Sequence, residues 1–259
     1  MKIFILCGGL GTRLDYEGTL KAKPMVRIGK EPIIRHIIDN FCDQNFNEFV
    51  LCLGYKAETI KNYFFKENKN KIKTLKKTKL HSRVRFKLKN KTFFVDLVYT
   101  GKDSGTGGRI KIAYDMLKLK EDIFMTYGDG LSNISIKKLI NFHYKHSSLV
   151  TMTAVRPKQR YGILKINNNK ISFFDNSKKK SEVYINGGFF VISNNAIKYI
   201  KHFKTYWEKE PINYIKSKKK LFAYKHNGFW RSMDTMKDKE ELNDLYKRNK
   251  FLWKIKKYN

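Results

Sequence analysis

The first 155 residues alternate short apolar runs with stretches of helical spacing. "KIFILCGG" (2–9) is a continuous apolar run ending in glycines, the pattern of a strand buried on both faces. "PIIRHIIDNFCDQN" (32–45) places apolar residues at helical spacing behind Pro32, which suits a first turn. The alternation continues through "EFVLCLGY" (48–55, strand), "KAETIKNYFF" (56–65, helix) and "FFVDLVYTG" (93–101, strand). It goes on with "GGRIKIAYDMLK" (107–118, helix) and "DIFMTYGDG" (122–130, strand into a polar turn). "SIKKLINFHYKHSS" (135–148, helix) and "LVTMTAV" (149–155, strand) complete it. This rhythm predicts an α/β fold with a mainly parallel sheet and helices on both faces.

Beyond residue 156 the rhythm shortens. "YGILKI", "KISFF", "YINGGFFVI" and "KLFAYKH" read as strands with brief connections. Helices are expected over 194–203 and 207–218, with a terminal helix over 235–250. A nucleotide-type half (1–155) and a mixed half (156–259) completing a cleft are therefore expected within one domain. The basic stretch 66–91 contains no clear pattern and reads as an inserted, solvated loop; the sharper alternative is a flap over a phosphate site or an oligomer contact.

Composition changes the picture only partly. The formal charge is +32. Such a field favours an anionic partner. Compositional drift toward Lys, Asn, Ile, Phe and Tyr gives the same charge. No nucleic-acid motif or interleaved aromatic platform accompanies it, so nucleic acid is not the expected partner. No apolar run is long enough to cross a membrane, and the opening segment reads as a strand, so no membrane insertion is expected. The three cysteines (Cys7, Cys42, Cys52) form no metal spacing and are odd in number, which fits a reduced, cytoplasmic setting.

The chemistry begins with "GGLGTRL" (8–14) and "KAKPM" (21–25). Gly8, Gly9 and Gly11 after a buried strand let backbone N–H groups approach phosphate oxygens. Arg13 adds a guanidinium suited to those oxygens, and Lys23 adds a point charge. The spacing is neither GxGxxG nor the Walker pattern.

These residues resemble the signature of sugar-1-phosphate nucleotidyltransferases. "TGKDSGTGGR" (100–109), "FMTYGDG" (124–130), "INGGFFV" (185–191) and "GFWRSMDT" (228–235) extend the resemblance to bacterial glucose-1-phosphate cytidylyltransferases over nearly the full length. The resemblance implies a Rossmann-like, mainly parallel mixed sheet with a smaller mixed sugar-binding lobe. It implies nucleotidyl transfer from CTP to glucose 1-phosphate, giving CDP-glucose and pyrophosphate. It implies catalytic roles for Arg13 and Lys23. Nucleotide contacts then fall on Gly8, Gly9, Gly11, Thr12, Arg13, Lys23, Ser104, Thr106, Gly108, Arg109 and Asp129. Sugar contacts fall on Asn186, Gly187 and Trp230; the family's sugar-phosphate lysine falls on Ser177, with Lys178 or Lys179 as the stand-in cation if the strand slips by a residue or two. A homo-oligomer, trimer or hexamer, is also implied.

The residues support this chemistry in their own right. Asp129 stands at the carboxyl end of a predicted parallel strand, where ligands bind, and Asp234 is a second carboxylate after an apolar run. Two carboxylates suit Mg²⁺, which keeps several waters and takes few protein oxygens. Gly187 and Gly188 inside a strand mark a close approach. Cys7, where the family has a small Ala, reads as a buried residue.

Two departures from the family pattern stand out. Gly105 replaces an expected Met in the nucleotide block. The family's Glu-Lys-Pro, about ten residues before Asn186, is replaced by Asn176-Ser177-Lys178, so the acceptor half of the site departs from the family while the nucleotide half keeps its pattern. The alternatives are transfer to a different phosphorylated acceptor, or a catalytically silent nucleotide-binding scaffold.

Overall fold

A computed structural model describes residues 1–9, 22–67, 71–88, 91–158, 162–175 and 183–255. In chain order the described strands are β1 (Ile3–Cys7), β2 (Arg27–Ile28), β3 (Glu31–Pro32), β4 (Glu48–Leu53), β5 (Ile72–Lys77), β6 (His81–Leu88), β7 (Lys91–Tyr99) and β8 (Ile123–Tyr127). They continue as β9 (Gly130–Ser132), β10 (Val150–Val155), β11 (Ile163–Asn167), β12 (Lys170–Asp175), β13 (Ile185–Ile192), β14 (Leu221–His226) and β15 (Trp230–Ser232). The α-helices are α1 (Ile33–Cys42), α2 (Ala57–Asn62), α3 (Thr106–Met116), α4 (Ile136–Lys145), α5 (Glu210–Ser217) and α6 (Met236–Lys247).

Nine strands form one sheet in the order β14-β10-β13-β8-β1-β4-β7-β6-β5. Its centre is parallel, as the alternating rhythm requires: β1 pairs β8 and β4, and β4 pairs β7. β13 enters antiparallel between β8 and β10, which brings the second half of the chain against the first.

Alternation of side chains splits the core into two layers. Ile3, Ile5 and Cys7 face one layer with α1; Phe4 and Leu6 face the other with α3 and α5. Burying each such side chain contributes about 2 kcal/mol. In α1, Ile33, Ile34, Ile37, Ile38 and Phe41 recur at helical spacing and are all buried.

The stretch 66–91 differs from the loop expected. β5 and β6 form an antiparallel hairpin that extends the sheet beside β7. The reason lies in β6, where buried Val84 and Phe86 alternate with Arg83, Arg85 and Lys87. Phe86 stacks on Phe93 at 4.8 Å. Asp96, almost fully buried on β7, accepts from His81 at 2.7 Å and pairs with Arg83. The basic composition conceals a period-two pattern. Two helix expectations also shift: 194–203 gives only a 3-10 turn, Asn194–Tyr199, and 207–218 becomes α5 with Trp207 buried ahead of it. No described helix is long and apolar enough to cross a membrane.

Candidate functional site

The carboxyl ends of β1 and β8 open onto a cleft of about 550 Å³. Strand order places it there: β1 leads into Gly8 and Gly9, and its neighbour β8 leads into Gly128 and Asp129. Of the residues expected to bind, Gly8, Gly9, Lys23, Ser104, Thr106, Arg109 and Asp129 all line it. Gly11, Thr12, Arg13 and Lys178 lie outside the described residues, as do Asn176 and Ser177.

Lys23 begins a 3-10 turn, Lys23–Met25, whose Pro24 and Met25 are buried. That anchorage leaves its side chain pointing at two carboxylates. Its Nζ donates to Asp129 Oδ2 at 2.5 Å and to Asp234 Oδ1 at 2.8 Å. Burial alone lowers the ammonium's pKa, but Asp129 and then Asp234 outweigh it and the net shift is upward. The two carboxylates expected to hold a metal are thus 105 residues apart in sequence (234 − 129) yet share one cation.

Asp234 is held in place by the start of α6. Thr235 caps that helix with a capping box: its side chain accepts from Asp238 N–H while Asp238 accepts from the Thr235 backbone. Asp238 Oδ2 also takes the Asp234 N–H at 3.1 Å. Ser232 donates to Asp234 Oδ2 at 2.6 Å, leaving Oδ1 for Lys23.

Arg109 lies deeper than a phosphate ligand on the surface of a helix. It is 5% exposed. Nη1 donates to the Leu53 and Gly101 carbonyls and to Thr100 Oγ1; Nη2 donates to the Gly8 and Lys102 carbonyls. The guanidinium therefore pins the loop after β1 to the loop after β7. A Cβ at Gly8 would stand 2.1 Å from Arg109 Nη1, so a side chain there would require the guanidinium to shift. Gly108 does not line the cleft; a Cβ on it would meet the Phe203 carbonyl at 1.7 Å, so it serves the packing of 203–205 against α3.

The residues expected on the sugar side gather one strand over. Trp230 Nε1 donates to the Gly187 carbonyl at 2.7 Å, and Asn186 Oδ1 accepts from Gly188 N–H at 2.8 Å. Tyr127 and Tyr206 also line the cleft, and sequence reading missed both. Tyr127 stood inside the quoted "FMTYGDG"; Tyr206 carries no local signal, because the fold alone brings 203–208 onto the start of α3. Cys7 lines the cleft too, but burial holds its thiol well above the ordinary range, so it is no nucleophile.

The sequence matches the family described as Nucleotidyl transferase over residues 2–249. The chain belongs to that family. It is 39% identical to the glucose-1-phosphate cytidylyltransferase of Salmonella typhimurium, over 98% of this chain and 99% of that one. It is 28% identical to a mannose-1-phosphate guanyltransferase of Saccharomyces cerevisiae, over 92% of this chain and 62% of that one. The crystal structure of HddC from Yersinia pseudotuberculosis superposes with a TM-score of 0.69 at 23% identity, covering 95% of this chain and 99% of HddC. That likeness shows the fold: a mixed sheet, parallel at its centre and flanked by helices.

Proposed function

We propose that this nucleotidyltransferase joins CTP and glucose 1-phosphate into CDP-glucose and pyrophosphate. The observation that carries this reading is the 39% identity to the Salmonella typhimurium cytidylyltransferase across essentially the whole of both chains. The cleft supports it with the right groups in one place.

The reaction asks for alignment. A phosphate oxygen of the sugar phosphate, already anionic, attacks the α-phosphorus; a P–O bond forms there as the bond to pyrophosphate breaks. Positioning and charge neutralisation then supply the catalysis. The loop after β1 offers backbone N–H groups to the triphosphate, and among the described residues nothing lies within 4 Å of where a Cβ on Gly9 would stand. Lys23, with Arg13 of the same signature, neutralises the nucleotide phosphates and the departing pyrophosphate. Ser104 and Thr106 face the nucleotide. Asn186, Gly187 and Trp230 form the sugar side, with Lys178 supplying a cation.

Asp129 and Asp234 would hold Mg²⁺. The residues fit this role: both carboxylates already bring an oxygen to one cation, the Lys23 ammonium. Magnesium bound there offsets charge on the reacting phosphates. The nucleotide half (1–155) supplies one of these carboxylates and the second half (156–259) the other.

A homo-oligomer, trimer or hexamer, in the cytoplasm completes the proposal. Ile166, Ile171 and Phe174 on the β11–β12 hairpin are 65%, 61% and 63% exposed, which supports a contact between copies. The alternative of another phosphorylated acceptor is favoured by one observation, the Asn176-Ser177-Lys178 replacement.

The reverse reaction tests the choice of nucleotide and sugar together. With pyrophosphate, CDP-glucose is expected to give nucleoside triphosphate at least about tenfold faster than UDP-glucose or GDP-mannose. Faster cleavage of another nucleotide sugar would overturn the assignment in favour of that pair.

A further inference from the structure

The entrance to α3 is packed backbone against backbone. A Cβ on Gly105 would stand 2.4 Å from the Thr205 carbonyl oxygen, and one on Gly108 would stand 1.7 Å from that of Phe203. Neither neighbour is a side chain that could swing aside. Hydrogen bonds close the same contact. Gly105 N–H donates to the Phe203 carbonyl at 2.9 Å, and Gly108 N–H donates to the Thr205 carbonyl at 3.0 Å. Trp207 N–H donates to Thr106 Oγ1 at 2.8 Å. Glu208 then accepts from Thr106 Oγ1 at 2.6 Å and from the Tyr127 hydroxyl. Segment 203–208 is therefore held residue by residue against the helix start.

Tyr206 lies inside this fixed segment, yet its side chain is left out of the packing. Thr205 before it is bonded to Gly108, and Trp207 after it is fully buried. Tyr206 itself is 52% exposed, and it lines the cleft. The Lys209 ammonium stands over one face of the ring, 5.1 Å from its centroid, and Lys209 does not line the cleft. The second face is the one offered to a ligand. A tyrosine ring has few torsions to freeze, so a fixed backbone presents it at low entropic cost.

The rim on which it stands is the nucleotide's. Lys102, Asp103, Ser104 and Thr106 line the cleft from the loop after β7 and the start of α3. In the sheet, β13 of the sugar side lies beyond β8 on one side of β1, whereas β4 and β7 lie on the other. The phosphate groups of the site, the loop after β1 and Lys23, fall between these two ends. The flat, uncharged part of a nucleoside triphosphate is its base, and the end at α3 is where it remains to be placed.

We propose that Tyr206 is the aromatic platform on which the base of the nucleoside triphosphate stacks. This rests on the nucleotidyl-transfer reading above. Every base has a π-face, so the ring sets affinity for the nucleotide and leaves the choice among bases to polar groups. The effect is confined to reactants that carry a base. Tyr206→Ala is expected to raise KM for the nucleoside triphosphate about tenfold, as for one lost base–aromatic stack. In the reverse reaction KM for the nucleotide sugar should rise by the same factor. The KM values for sugar phosphate and pyrophosphate, and kcat, should stay within about twofold. Tyr206→Phe keeps the ring and should remain within about twofold of wild type throughout.

The deciding experiment measures the four KM values and kcat for wild type, Tyr206→Ala and Tyr206→Phe. Thermal melts confirm that each variant is folded, and Tyr206→Leu, apolar but without a π-face, replaces Tyr206→Ala if the latter is not. An unmoved nucleotide KM would overturn the proposal, whether or not the sugar-phosphate KM rises. So would a rise in all four values, which marks a structural role, or an equal loss in Tyr206→Phe, which assigns the effect to the hydroxyl. The assays use whichever nucleotide and sugar phosphate the wild type joins. A pair other than CTP and glucose 1-phosphate overturns the substrate assignment alone; silence with every pair overturns both.

Discussion

The Lys23 ammonium lies 2.5 Å from Asp129 Oδ2, joining residues 106 positions apart across the mouth of the cleft. Asp234 reaches the same nitrogen from the far half of the chain. One cation thus gathers the two carboxylates on which the proposed metal site depends. Replacing Lys23 with Met leaves those carboxylates facing each other and removes a positive charge from the phosphate path. The expected result is a loss of about 10²-fold in kcat/KM, as for other preorganised electrostatic groups. Steady-state pyrophosphate release measures it.

The same contact has a pH signature. The Lys23 pKa is raised in the folded protein. A raised lysine contributes stability that is fully present below the unfolded value, about 10.4, and lost as pH rises through the folded value. Wild type is therefore expected to lose its urea-midpoint advantage over Lys23→Met only above about pH 10.4. An advantage that vanishes between pH 6 and 8 would assign the stabilisation to another group.

Arg109 gives a stability prediction. Burial lowers its pKa, and its guanidinium serves carbonyls from three separate segments. An ammonium cannot reproduce that fork. Arg109→Lys is expected to cost about 3 kcal/mol by urea unfolding, from several lost charge-assisted bonds. A change below about 0.5 kcal/mol, the size of an ordinary surface substitution, would mean that the loops hold themselves.

The thiols are expected to be inert. Burial pushes Cys42 and Cys52 up to about 12 and Cys7 well above its ordinary value. A disulfide-exchange reagent at pH 8 should label none of the three cysteines in the native protein within minutes, and all three in urea. Rapid native labelling of Cys7 would show that the cleft opens further than the structure does.

How much of this was legible in the sequence depended on where the signal was stored. β1 was readable because Ile3–Cys7 is buried on both faces and leaves no polar position. Asp129 and Asp234 were readable as a pair of carboxylates, and Lys23 as a nearby cation; their meeting at one point was not, because it depends on β15 pairing antiparallel with β9, which sets Ser232 beside Gly130 and bonds Met233 N–H to the Asp129 carbonyl. β6 was missed because its exposed positions are nearly all basic, so charge hid the alternation of Val84 and Phe86. Arg109 carried a motif but not its depth: nothing local says that a helix-start arginine will turn inward under Gly8. Glu208 had no signal at all, since its partners Thr106 and Tyr127 come from elements 102 and 81 residues away.

The central claim is tested most directly by incubating the purified chain with glucose 1-phosphate, Mg²⁺ and each nucleoside triphosphate in turn, then resolving products by phosphorus NMR. The account predicts CDP-glucose and pyrophosphate in equal amounts from CTP, with UTP, GTP and dTTP at least about tenfold slower. Binding of CTP without formation of any nucleotide sugar would contradict it and leave a silent nucleotide-binding scaffold in its place.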